Sequence, residues 1–258
     1  MSNFICKTAV ELLQNIGSNT DLQLNTGDYD ISDIVLPYDK DVYYADIGVG
    51  PYGDRELIIR NLSYASLTGN SGTRIINKYV YANVVTLINC NNISLKNIEF
   101  GHYPEMGGCR GGVLVLLNCT NVTIDNCSMF GCGTIGISMI GCQSIQVNSC
   151  LITKCNSELI YLEDTTECRF QDTRIQQNET RSIRILHCND IVFDTCFIGE
   201  NQVSEWSSVD SPLFEIGNSS GDVIVKSSHI DIPSDCLVNE RERLTIDNCR
   251  ITNDFVYG

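Results

Sequence analysis

From residue 84 onward the chain repeats itself. Ile93, Leu95, Ile98 and Phe100 recur at the same offsets as Val122, Ile124, Cys127 and Met129, then as Ile145, Val147, Cys150 and Ile152. The pattern continues with Cys168, Phe170, Thr173 and Ile175, then Ile191, Phe193, Cys196 and Ile198. Val223, Val225, Ser228 and Ile230 follow, then Leu244, Ile246, Cys249 and Ile251, and upstream Leu57, Ile59, Leu62 and Tyr64 read as one more unit. The central units step by 23 residues. A spacing of two is a strand period, and the extra residue inside each unit is a bend between two short strands. A further strand precedes each pair: Val85/Leu87, Leu114/Leu116, Ile137/Met139, Ile160/Leu162, Ile183/Ile185, Phe214/Ile216 and Cys236/Val238. Three short strands per unit make one rung of a parallel β-helix, which buries its inward side chains only by stacking on its neighbours. The expectation is an all-β fold of about nine rungs.

The bend carries Asn97, Asn126, Ser149, Asp172, Thr195, Ser227 and Asn248, residues that tolerate left-handed backbone or hydrogen-bond a neighbouring backbone group. Most of the 14 cysteines fall into columns. Cys127, Cys150, Cys196 and Cys249 follow the bend, and Cys90, Cys119, Cys142 and Cys188 share a column with Thr165. Such positions suit a small buried thiol, so the cysteines are expected reduced.

The charge bounds the partners. Seventeen basic against 32 acidic residues leave −15, which argues against nucleic acid and anionic membranes. No run of 18 apolar residues suggests a membrane span. The first residues, Met1 to Lys7, lack the basic-then-apolar pattern of a secretory leader, so a cytoplasmic location is expected, or a secreted one had a leader been removed. The organisation expected is one domain over 1–258. Residues 1–20 form a helical cap, with Ala9, Leu12, Leu13 and Ile16 at helical spacing, and 21–258 form the rungs.

This pattern resembles the right-handed parallel β-helix superfamily, whose best-known members are pectate-lyase-like proteins. The resemblance covers about residues 20 to 258, and Asp21–Ile31 is similar to the first rung of such proteins. It implies the fold, which hosts lyases, hydrolases, phage spikes, adhesins and non-catalytic binders. The catalytic signatures do not carry over. Pectate lyases need an acidic calcium cluster and an Arg base; polygalacturonases need Asp-Asp, Asn-Thr-Asp and Gly-His-Gly. Here there is no Asp-Asp, Gly101-His102-Tyr103 replaces Gly-His-Gly, and the Asn-Thr-Asp at Asn19-Thr20-Asp21 stands at the start of the first rung without either partner motif beside it. The stretches Gly101-His102, Cys109-Arg110-Gly111-Gly112-Val113 and Gly131-Cys132-Gly133-Thr134 resemble a group of bacterial β-helix repeat proteins, a resemblance that implies no activity.

Departures from the 23-residue step mark loops. Six extra residues lie within 101–112, a longer excess lies within 200–212, and residues 32–56 are a third departure. The first two follow the same strand of the rung and project from one corner, about four rungs or roughly 20 Å apart. The binding residues expected there are His102, Tyr103, Met106, Arg110, Glu205 and Trp206, since exposed aromatic and charged side chains anchor interfaces and sugars. His102 is also the candidate general base, with a packed ring bonded to a backbone carbonyl as the competing reading. Cys109, Cys132 and Cys155 with His102 have the composition of a zinc ligand set. The ~4.8 Å separation of rungs counts against it, and no cofactor is expected.

The functional expectation is a non-catalytic recognition scaffold binding a protein or glycan along the corner with loops 101–112 and 200–212. The alternative is a polysaccharide lyase or glycoside hydrolase using His102 and nearby carboxylates. Self-association through the C-terminal rung is a further expectation, because few residues follow Ile251 to cover it.

Overall fold

The computed structural model describes residues 1–32, 34, 44–51, 53–103, 110–131, 134–201, 212–232, 236–239 and 241–252. Met106, Cys109, Cys132, Glu205, Trp206 and the tail 253–258 lie outside the described residues. Among those described, the strands form three sheets of ten, nine and eight strands. Sheet A runs from Ser2–Cys6 to Leu244–Asp247, sheet B from Gly27–Asp30 to Arg250–Thr252, and sheet C from Ala45–Val49 to Phe214–Ile216. Within a rung the chain passes through C, A and B in turn, and each strand pairs in parallel with its counterpart one rung away, as Leu114 with Ile137 and Val122 with Ile145. No helix among the described residues is long and apolar enough to cross a membrane.

The inward columns are those the repeat predicts. Val122, Ile124, Ile145, Val147, Phe170 and Phe193 are all buried. Phe170 and Phe193 stack at 4.8 Å with an interplanar angle of 6°, and Phe214 meets Phe193 edge-on at 5.4 Å. Each rung thus places an apolar side chain directly on the one before it.

Corners are made by left-handed residues, more of them than the single bend column. Asn118, Asn121 and Asn126 all have positive φ, as do Asp164, Glu167 and Asp172 one stretch further on. At the C-to-A and A-to-B corners the cysteine columns do more than fill space. The Cys119 thiol donates to Leu117 O (3.4 Å) and Leu87 O (3.5 Å). Thr165, in the same column, donates to Glu163 O (3.0 Å) and accepts from Cys142 N (3.3 Å), and Ser220 accepts from Cys188 N (3.2 Å). The column therefore selects a short side chain with an X–H group that reaches a corner carbonyl. The twelve described cysteines are free, and ten of them are buried.

Three expectations need correction. Leu57 and Ile59 pair with Val85 and Leu87 in sheet C, while Ala65 and Leu67 hold the sheet A register of Ile93 and Leu95. The two-three-two spacing misleads there because the C-to-A corner carries the same left-handed break as the A-to-B corner; Tyr64, with φ 56°, sits in it exposed. Near the C-terminus, Val238 rather than Cys236 bridges to Phe214. At the start, Ser2–Cys6 is a strand of sheet A, paired with Thr20–Leu24, and the helix Ala9–Asn15 follows it. That helix buries Ala9, Leu12 and Leu13. Thr8 accepts from Glu11 N (3.2 Å), and the Glu11 carboxylate accepts from Lys7 N (2.6 Å). The departure at 32–56 contains a strand, Ala45–Val49, antiparallel to Arg55–Arg60, which forms the N-terminal edge of sheet C.

Candidate functional site: a groove on the outer face of sheet C

Alternation along sheet C sends every second residue outward. One outward column reads Thr86, Val115, Ser138, Tyr161, Arg184, Glu215 and the next reads Ile88, Leu117, Ile140, Glu163, Leu186. The first column from Thr86 to Arg184 and the second from Ile88 to Ile140 floor a groove of about 410 Å³, lined also by Glu56, Asn83 and Glu158. The floor changes character along the helix axis. Toward the N-terminus it is aliphatic, with Ile88, Val115, Leu117, Ile135 and Ile140 half-buried.

Toward the C-terminus it is charged. Arg184 Nη1 lies 2.8 Å from Glu158 Oε1, and its Nε donates to Glu215 Oε2 at 3.0 Å. Tyr161 donates its hydroxyl proton to Glu163 Oε2 (2.8 Å). Burial pushes the Glu158 carboxyl up, Arg184 pulls it back, and Glu215 adds to the rise. Burial works against the Arg184 charge, yet the two carboxylates hold it above the usual guanidinium value. Burial and the bond to Glu163 push the Tyr161 phenol up to about 12. Each shift follows from charge confined near low-dielectric walls.

The rim is set by the turn at 80–83 and the loop returning from sheet B. Asn83 N donates to Glu56 Oε2 (3.0 Å), Thr86 donates to Glu56 Oε1 (2.9 Å), and Gly112 N donates to Asn83 Oδ1 (2.8 Å). Gly111 lies so close to this turn that a Cβ there would be 1.7 Å from Ala82 O, which only glycine permits.

His102 belongs to that support, not to the groove lining. It ends the sheet B strand Glu99–His102, is 1% exposed, and its Nε2 lies 2.8 Å from Ala82 O. Nδ1 is buried without a well-formed hydrogen bond, although the Gly131 carbonyl is close enough to favour the protonated ring. Burial outweighs both carbonyls and pulls the pKa down. A neutral ring donating from Nε2 fits this environment, which is that of a packed ring bonded to a backbone carbonyl, the competing reading of the sequence.

The other expected binding residues separate. Arg110 lines the groove, exposed, with its N–H bonded to Val80 O at 2.8 Å. Tyr103 is 43% exposed but lies away from this lining, with the Arg74 guanidinium 5.0 Å above its ring. Cys155 is fully buried, its thiol pushed up to about 12 by burial, and its N–H is accepted by Asn178 Oδ1 (2.9 Å). Asn201 continues that column, accepting from Asn178 N at 3.1 Å. Among the described residues, a grouping close enough to share a metal ion is Glu163, Asp164 and His187, at the surface beyond the charged end of the groove.

The charged cluster Glu158, Tyr161 and Arg184 was missed from the sequence, but a signal was present. Leu114–Leu117 reads Leu-Val-Leu-Leu and Ile135–Ile140 ends Ser-Met-Ile, so apolar residues stand where an exposed sheet face alternates to polar. Apolar outward positions on consecutive rungs are the mark of a groove.

The known proteins place this architecture. No curated protein matches the chain in sequence. Among solved structures, an alginate lyase from Paenibacillus sp. str. FPU-7 superposes with a TM-score of 0.63 at 9% identity, covering 98% of this chain and 96% of its own. A pectate lyase gives 0.58 at 10% identity over 94% and 70%, and a rhamnogalacturonan lyase 0.58 at 10% over 91% and 69%. At such identities the likeness is one of fold. The model of the family described as a right handed beta helix region matches residues 52–251, and the chain belongs to that family.

Proposed function

We propose that the protein is a recognition scaffold that holds a glycan in the groove on the outer face of sheet C without cleaving it. The observation that carries this reading is the groove floor itself, aliphatic over three rungs and then closed by Arg184 between Glu158 and Glu215. A groove running across stacked rungs offers an extended polymer the same spacing again and again. Several structures with this fold are described as polysaccharide lyases, which supports a glycan over a protein ligand. The ionisable groups at the charged end of the groove are engaged with one another, while Arg110 stands exposed at its rim. Arg184 holds two carboxylates, Tyr161 gives its proton to Glu163, and His102 is buried behind the rim.

The test is binding to a panel of soluble polysaccharides, followed by analysis of products. Wild-type protein is expected to be retarded by at least one of them and to release no reducing ends or unsaturated sugars. Leu117→Asp should abolish the retardation while the fold survives, since Leu117 faces outward. Retardation unchanged by Leu117→Asp would remove the groove from the reading. One observation favours the enzymatic alternative: the raised carboxyl of Glu158, the usual condition of a general acid. Product release abolished by Glu158→Gln would establish it.

A further inference from the structure

We infer that the glycan held by this groove is uncharged and carries acyl or deoxy groups, so that its methyl groups, and not carboxylates, are what the floor selects. The inference rests on the groove reading above and adds the class of ligand.

The first part of the argument is charge. At the C-terminal end Glu158 and Glu215 face one guanidinium, and both ion pairs of Arg184 among the described residues are to these carboxylates. An incoming uronate would have to displace one of them. The protein as a whole carries −15. A polyanion is therefore repelled at long range and, among the described residues, finds the guanidinium at the charged end already engaged; Arg110, the other guanidinium of the lining, stands at the rim.

The second part is the floor. Leu117 lies between Ile88 and Ile140, so one outward column places aliphatic side chains on three adjacent rungs, and Val115, between Thr86 and Ser138, adds to the middle one. A bare sugar presents mostly hydroxyls, which these side chains cannot pair, and a hydroxyl buried without a partner is costly. An acetyl group or a deoxy-sugar methyl presents apolar surface at a similar interval and removes the floor from water with it. Tyr161, at the border between the two halves, adds an aromatic side whose hydroxyl is already donated to Glu163.

The experiment uses an array of immobilised neutral polysaccharides, each in native O-acetylated form and after alkaline deacetylation, with polygalacturonate and alginate beside them. The wild type is expected to bind acetylated forms at least tenfold more tightly than their deacetylated partners and to ignore both polyuronates. Ile140→Thr, which keeps the β-branch and loses apolar surface, should shrink the acetyl preference several-fold with an unchanged melting temperature. Ile140→Ala is the second variant, should the threonine perturb the sheet. Equal binding to acetylated and deacetylated forms, or a preference for polyuronates, overturns this inference and leaves the groove reading standing. Binding that ignores both Ile140 variants and Leu117→Asp overturns both, as does an array on which nothing binds.

Discussion

On the outer face of sheet A the positions between buried residues carry Ser94, Thr123, Gln146 and Arg169; on sheet C the equivalent positions carry Thr86, Val115, Ser138 and Tyr161, with Ile88, Leu117 and Ile140 beside them. The two sheets enclose one interior and have equally apolar inner faces. Inner faces answer to the stack, because each rung must cover the next. Outer faces answer to water unless something else covers them, and only a departure from polar alternation there says that something does. Sheet A obeys the alternation across its central rungs and carries scaffold. Sheet C breaks it over three rungs, and those rungs lie beside the Gly-rich return at 110–112 that supplies the groove rim.

The comparison predicts, first, that stability is indifferent to which outer face is changed and sensitive to the shared interior. Phe193→Ala removes a ring that stacks on Phe170 and meets Phe214 edge-on, and about 3–5 kcal/mol of unfolding free energy should be lost. Gln146→Ala on sheet A should cost no more than about 0.5 kcal/mol. Urea titration measures both. A Gln146 effect as large as that of Phe193 would mean that sheet A's outer face is covered as well, and the contrast would dissolve.

The second prediction concerns the support behind the groove. His102→Ala leaves Ala82 O without its partner and opens space in a packed wall, so about 2 kcal/mol should be lost. Ligand binding should weaken with it, because Ala82 lies in the turn that presents Asn83 to the groove. The pH dependence has a definite sign. Burial holds the ring's pKa in the folded protein below the ordinary imidazole value of 6.5, so its contribution is complete above that value and fades as the pH falls through the lower, folded one. Denaturation midpoints measured from pH 7 downward should therefore decline. In His102→Asn, which can donate to Ala82 O but does not titrate, that part of the decline should vanish. An unchanged slope would mean that the ring's pKa does not differ between the folded and the unfolded chain.

How much of this could be read in the residues differs by layer. The inner columns were legible because burial enforces a period, and six sheet C pairs from Val85/Leu87 to Phe214/Ile216 stand in the predicted register. The Ser2–Cys6 strand was not, because a single terminal strand has no repeat to betray it. His102 attracted attention as a histidine in a Gly-rich loop, and chemistry alone cannot say whether such a ring faces a ligand or a carbonyl; the register of Glu99–His102 against Thr73–Asn77 decides it. Glu158 and Arg184 went unnoticed because they lie 26 residues apart in sequence and meet only through rung stacking.

The smallest expected effect concerns the cysteine columns, which border both faces at the corners. The column of Cys90, Cys119, Cys142 and Cys188 contains Thr165 at one rung, and Ser220 meets Cys188 N at the next. If the requirement is a short X–H group reaching a corner carbonyl, Cys119→Ser should change stability by less than about 1 kcal/mol, since a hydroxyl makes the same bond with a stronger donor. Cys119→Val, which fills the space without donating, should cost more than the serine. The same packing makes most of these thiols inert, Cys142 apart, whose pKa is lowered by its hydrogen bond with Cys119. Burial pushes Cys127 and Cys196 up to about 11 and Cys150 up to about 12, so little thiolate exists near neutral pH and little of it is accessible. Alkylation of native protein should modify few of the 14 thiols, and alkylation in denaturant nearly all of them. Among the described thiols, Cys236 and Cys249, the half-buried pair near the C-terminus, are expected to react first. A serine variant less stable than the valine, or rapid native labelling at Cys119, would show that the column is chosen for its sulfur and not for its hydrogen bond.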